Sequence, residues 1–342
     1  MSKKNIYSIV ALLFIVLGII GFSYYQTIFG KSVLKTGNLY IASTDNFNDV
    51  KNKLQPFIKN IDNFDFVADL KKVKKIKGGM YKLKKDMSLN DVITLLRNGN
   101  QTPIKIAFNN QDTLEKLAGR IAQQIEADSI SLLTTMKDAT FLKKHLFTEK
   151  SALGMYIPNS YEFYWNTSAT KFRNKMLQEY NRFWNKNRIE KAKKLQLKKT
   201  EVLALASIVQ KETAKRSERP IVAGLYLNRL KNGWPLQADP TLIYAVKQIK
   251  GQDFVIKRVL NKDKEIKSPY NTYLHKGLPP TLIAMPDISA IDAVLNPAKH
   301  QYYYMCASIT NIGFHDFAKT LSQHNRNAVK YQHWISQRGI NR

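Results

Sequence analysis

From Ile6 to Tyr25 the sequence reads "IYSIVALLFIVLGIIGFSYY", without a single charged side chain. At 1.5 Å of rise per residue, such a run is long enough to cross a hydrocarbon core of about 30 Å as a helix. A cleaved signal peptide is the competing reading, because the short basic stretch at Lys3 and Lys4 precedes the apolar run. The run is longer than the ~7–15 residues of a usual signal core, and no small-x-small cleavage site precedes "FSYYQTIFGKS". Tyr24 and Tyr25 also stand where interfacial aromatics anchor a span. Residues 6–25 are therefore expected to be a retained transmembrane helix, with residues 1–5 as a cytoplasmic N-terminus. Lys31 and Lys35 on the other flank reduce the charge bias that sets this orientation. On this reading the chain beyond about residue 30 faces the outside of a cytoplasmic (inner) membrane.

That topology governs how the net charge of +28 is read. In a cytoplasmic protein so much positive charge would suggest nucleic acid. Here Lys3 and Lys4 are the only charges in residues 1–30, so nearly all of it belongs to the exported part. Anionic lipid headgroups and an anionic cell-wall polymer are the expected partners, and nucleic acid is not. Runs such as "KKVKKIK" (71–77) and "KAKKLQLKK" (191–199) also read as solvated faces that aid solubility. A lone cysteine, Cys306, excludes an intramolecular disulfide. With 44% hydrophobic residues over 342 positions, the chain has enough apolar material to fold around its own core, in about two domains.

An internal repeat organises the region from about 37 to 110. "NLYIASTDNFNDVKNKL" (38–54) and "MYKLKKDMSLNDVITLL" (80–96) share an extended tyrosine-bearing stretch, a turn, and an Asn-Asp-Val start to an amphipathic helix. "IAFNNQDTLEKLAGRIA" (106–122) is a fainter third copy. Thr44, Ser88 and Asp112 are the expected helix N-caps. Repeated strand–helix modules predict an α+β fold. Further on, "LGMYIPNSYEFYWNTSAT" (153–170) reads as an aromatic loop, "QYYYMCAS" (301–308) as a short strand, and the Gly/Pro-punctuated middle of the second half as loops.

The run "LALASIVQKETAKRS" (203–217) predicts a helix that starts near Thr200 and ends before Pro220. At about 100° per residue, Leu205, Ile208, Val209 and Glu212 share one stripe. A carboxyl on an apolar stripe near a helix C-terminus is disfavoured as an anion by both desolvation and the helix dipole, so its pKa should rise. A carboxyl that keeps its proton near neutrality suits general acid catalysis. The bland alternative is a structural Glu212 paired with Lys211, Lys215, Arg216 or Arg219.

Loops after this helix gather Gln237, Asp239, Thr241, Asn271 and Tyr273, a polar and aromatic set suited to sugar hydroxyls. The sequence holds no GxSxG and no HExxH, and "FGKS" (29–32) is not a phosphate loop. His315, His324 and Cys306 lack metal-ligand spacing, so neither metal nor cofactor is expected.

These segments together resemble a known family. "LASIVQKETAKRSERPIVAGLYLNRLKNGWPLQADPTLIYAV", "YNTYLHKGLPP", "LNPAKHQYYYMCAS" and "GFHDFAKTLSQHN" are similar to the YceG-like endolytic murein transglycosylases, bacterial membrane-anchored enzymes that cut nascent peptidoglycan. The likeness spans roughly 75–335 and is carried by the KET, ERP, NRL, LQxDPT and YNTY elements. It implies a small α+β region over 31–110, with a LysM-like module at about 78–110, and a catalytic domain over 111–342.

The resemblance places the catalytic glutamate at Glu212. Where many relatives carry Glu two residues earlier, this chain has Gln210. Glu218, Asn228, Gln237, Asp239, Thr241, Asn271 and Tyr273 fall on or beside the same motifs and are the candidate substrate-binding residues. The implied reaction is lytic cleavage of the MurNAc–GlcNAc bond to a 1,6-anhydro end, in the company of peptidoglycan synthases. Gln237, Asn228 and Asn271 would position acetamido and hydroxyl groups, and Asp239 or Glu218 would stabilise the transition state. A hydrolytic muramidase and a non-catalytic wall-binding scaffold are the rival readings.

Overall fold

The computed structural model describes residues 3–256 and 259–338. Met1 and Ser2 of the expected cytoplasmic stretch therefore lie outside the described residues, as do residues 257–258 and 339–342 of the expected catalytic region. The architecture is mixed α+β, with helices predominating and three two-stranded sheets among the described residues.

α1 (Lys3–Phe29) is an unbroken helix without a buried residue, long and apolar enough to cross a membrane. It extends beyond the predicted 6–25 at both ends. The chain then forms two compact units.

The first unit runs to Ile106 and also includes Ala122–Asp128 and Ser160–Ser168. It contains β1 (Gly37–Ile41), α2 (Phe47–Leu54), α3 (Asp62–Leu70), β2 (Gly79–Leu83), α4 (Leu89–Asn98) and the start of β3 (Ile104–Phe108). The first two copies of the repeat meet here, since β1 and β2 pair antiparallel with Leu39 opposite Tyr81. Leu39, Ile41, Tyr81 and Leu83 alternate inward, as a period of two requires, and pack with Val50, Leu54, Phe64 and Leu96 in one apolar cluster. Ser88 caps α4 in a capping box with Asp91, as expected. Thr44 does not cap α2. Asn46 does, two residues later, with Asp49 completing its own box. The strand of the third copy, β3, pairs with β4 (Asn159–Phe163) instead of joining the β1–β2 sheet. The LysM-like expectation at 78–110 thus falls on a strand–helix–strand stretch whose two strands belong to different sheets.

The second unit holds Ala107–Ile121, Ser129–Asn159 and the chain from Ala169 onward. It contains α5 (Leu114–Ala122), α6 (Ser129–Met136), α7 (Ala139–Lys144), α8 (Ala169–Phe183) and α9 (Lys186–Lys194). These are followed by α10 (Lys199–Glu212), α11 (Arg219–Lys231), α12 (Asp239–Lys250), α13 (Ile288–Leu295), β5 (Tyr304–Ala307), β6 (His315–Ala318) and α14 (Leu321–Gln337). Asp112 does not cap α5; Thr113 accepts from the Lys116 amide, and Asp112 is paired with Lys211.

α10 is the axis of this unit. Every residue from Val202 to Gln210 is buried, so the helix is wrapped on all sides and has no single apolar stripe. α11, α12 and α13 pack around it. It starts at Lys199, beside Thr200 as expected, although the N-cap position is Lys198 and not Thr200 itself, and its C-terminal residue is Glu212. Such a buried rod fixes where the carboxyl emerges.

Candidate active site

Glu212 stands at the end of α10, half-buried, on a cavity of about 390 Å³. The side chains around it come from five further elements. α11 supplies Tyr226 and Arg229, the segment entering α12 supplies Gln237 and Asp239, the 270–273 loop supplies Tyr273, and the β5–β6 ribbon supplies Tyr304, Cys306 and His315. His324 of α14 completes the wall.

Glu212 has no cationic partner among the described residues. Lys211 pairs with Asp112 and Arg219 with Asp287, while Lys215 lies over the Phe314 ring. None of the four neighbouring cations forms an ion pair with it among the described residues. What touches it is the Tyr226 hydroxyl, which donates to Oε1 at 2.6 Å. Burial is the largest influence on its pKa and pushes the carboxyl up to about 7. The Tyr226 hydrogen bond, the Arg229 charge and His315 whenever its ring is protonated pull the other way, and the Asp239 charge raises it further. The position at the C-terminal end of a helix dipole adds to the upward push. The result is a carboxyl that can hold or release a proton close to neutral pH.

The loop residues act in two layers. Thr272 clamps the segment before α12: its carbonyl accepts from the Gln237 amide at 3.0 Å, and its hydroxyl accepts from the Ala238 amide and bonds Thr241 at 2.8 Å. Gln237 is held at a φ of 50°, a left-handed conformation uncommon for a residue with a side chain, and its exposed carboxamide lines the cavity. Tyr273 donates its hydroxyl to Oδ1 of Asp239 at 2.7 Å, and both line the cavity.

Of the eight residues expected from sequence, Glu212, Gln237, Asp239 and Tyr273 are brought together there. Asn228, Thr241 and Asn271 do not line it. Asn228 donates to the carbonyls of His300 and Tyr302, and Asn271 to those of Lys264 and Ile266. Thr241, fully buried, donates to the Ala238 carbonyl. The amide and hydroxyl donors of these three are occupied by backbone, which fixes the loops that carry the cavity. Glu218 is also buried and lies behind the wall, bonded to His315.

Tyr226, Arg229, His315, Tyr304 and His324 were missed as site residues. Tyr226 and Arg229 sit three apart on α11, so they share a face, a helical signal that was available in "GLYLNRL". Arg229 is buried with its guanidinium on the carbonyls of Tyr303 and Leu236, which ties α11 to the start of β5.

Comparison with known proteins gives a consistent pattern. The profile of the YceG-like family matches residues 39–330. The endolytic murein transglycosylase of Bacillus subtilis is 31% identical over 330 residues, covering 89% of each chain. That of Streptococcus pneumoniae is 27% identical over 295 residues, or 78% of this chain but only 53% of the longer pneumococcal protein. A crystal structure of a yceG-like protein from Listeria monocytogenes aligns with a TM-score of 0.57 at 27% identity, covering 85% of this chain and 98% of that one.

Proposed function

The chain belongs to the YceG-like family, and on that premise we propose that it is a membrane-anchored endolytic peptidoglycan lytic transglycosylase in which Glu212 is the acid and then the base. The observation that carries this reading is a half-buried carboxyl at a helix end, with a pKa of about 7 and no cationic partner among the described residues, on a cavity lined by polar and aromatic side chains.

In the reaction, protonated Glu212 gives its proton to the glycosidic oxygen between N-acetylmuramic acid and N-acetylglucosamine, and the C1–O bond breaks. The carboxylate left behind is stabilised by the Tyr226 hydroxyl. It then takes the proton of the muramic C6 hydroxyl as that oxygen bonds to C1, giving the 1,6-anhydro end and returning Glu212 to its acid form. A hydrolase needs a second carboxylate to activate water or attack the sugar. An internal hydroxyl removes that need because its effective concentration is high. Gln237, Asp239 and Tyr273 contact the sugar in this scheme, while Asn228, Thr241 and Asn271 hold the loops that present them. α1 anchors the enzyme in the cytoplasmic membrane with the catalytic unit outside, and the 78–110 stretch serves as the LysM-like contact to the wall.

The decisive experiment digests purified glycan strands with the wild type and Glu212→Gln and weighs the products. Anhydro ends from the wild type, reduced at least about a hundredfold by the substitution, are expected. Asp239 on the same cavity is the observation that favours a hydrolytic reading. Products heavier by one water would establish that alternative, and undiminished cutting by the variant would remove Glu212 from the mechanism.

A further inference from the structure

Glu218 is buried at 3% exposure, yet it belongs to no ion pair with lysine or arginine among the described residues. Both of its oxygens go to one residue. Oε1 accepts from the backbone amide of His315 at 2.6 Å, and Oε2 lies 2.9 Å from Nδ1 of the same residue. Gripping amide and ring together fixes the position of the imidazole and also its tautomer, because a carboxylate accepts only and so Nδ1 must carry the hydrogen. His315 lines the cavity, and its Nε2 has no hydrogen-bond partner among the described residues. In the neutral ring that nitrogen is a lone pair.

We propose that Glu218 and His315 form an orienting pair that presents Nε2 to the cavity as a hydrogen-bond acceptor for a donor of the bound glycan, a hydroxyl or acetamido N–H. This rests on the transglycosylase reading and extends it. His315 touches the sugar, and Glu218 is a positioning residue that acts through it. The pairing gives a use to a buried carboxyl at the start of α11 that otherwise has no function there. It also complements the rest of the wall, where Tyr226 and Tyr273 spend their hydroxyl hydrogens on Glu212 and Asp239. Glu212, Asp239, Arg229 and His324 are the other carboxyl, guanidinium and imidazole groups around the same space, beside the Cys306 thiol and the tyrosine hydroxyls.

Glu218→Gln tests the tautomer. The glutamine oxygen keeps the His315 amide, but its NH₂ donates to Nδ1, so the ring hydrogen moves to Nε2 and confronts the sugar donor. Nitrogen NMR of the ring should report that switch, with an unchanged melting temperature and KM raised about tenfold at nearly constant kcat. His315→Asn is the second variant: its amide nitrogen replaces Nδ1 toward Glu218 while Nε2 is deleted, and the same rise in KM is expected. Combined with His315→Asn, Glu218→Gln should add nothing. A wild-type KM in both variants, or additive effects in the double variant, would overturn the pair while leaving Glu212 catalysis intact. A wild type that yields no anhydro ends would overturn the parent reading instead.

Discussion

The Tyr226 hydroxyl and the Glu212 carboxyl, on the successive helices α11 and α10, are joined by a 2.6 Å hydrogen bond with the phenol as donor. The bond favours the carboxylate, so it offsets part of the upward push of burial, and the balance leaves the pKa at about 7. Tyr226→Phe is therefore expected to push the Glu212 pKa higher and to move the alkaline limb of kcat/KM to higher pH. A limb that stays in place would show that another group titrates there.

Asp239→Asn should act with the opposite sign. The Asp239 charge raises the Glu212 pKa, so neutralising it lowers that value and brings the loss of activity to lower pH. The same substitution keeps a partner for the Tyr273 hydroxyl, so the loop should hold. A pH profile of kcat/KM beside that of the wild type checks this. A shift upward would contradict the proposed charge coupling.

The raised pKa has a cost in stability. Glu212 binds its proton more tightly folded, at about 7, than at its ordinary value of 4.5. Below that ordinary value both states are protonated and nothing is lost. Stability falls as pH rises from about 4.5 to about 7, by up to about 3 kcal/mol, and then levels off. Glu212→Gln should therefore melt above the wild type at pH 8 and close to it at pH 4. A gap that does not change between these two conditions would refute the linkage.

Gln210 donates to the Met285 carbonyl at 3.0 Å and accepts from the Asp287 amide, so it needs both ends of a carboxamide. Gln210→Glu would leave the Met285 carbonyl facing an acceptor and should cost about 1–3 kcal/mol in unfolding free energy at neutral pH. Denaturant titration measures it. Because α13 begins at this junction, with Arg219 on Asp287, no gain of catalytic function is expected.

Glu212 was legible in sequence because one continuous helix carries the relevant information: its length, its end and its odd charge. The depth of α10 was not, since a wrapped helix and an amphipathic one differ only in what the rest of the chain places around them. Ser88 was readable as a cap from its spacing to Asp91, whereas at the other two helices Asn46 and Thr113, one or two residues on, accept from the first-turn amides in place of Thr44 and Asp112. Tyr226 lies about ninety residues before His315 and His324 in the chain, and their convergence depends on α11 docking with β6 and α14. Motif matching chose Asn228 over Tyr226 on the same helix, because a motif records which residues recur and not whether they face a cavity or a carbonyl.

Cys306 lies on the cavity wall and is the chain's only cysteine. Burial and the nearby Asp316 charge raise its thiol pKa, so it is a slow nucleophile. The site thereby carries a built-in reporter. A small alkylating reagent can mark it at a single position, and a glycan strand occupying the cavity should be readable as protection of one thiol, without labels, engineered residues or turnover.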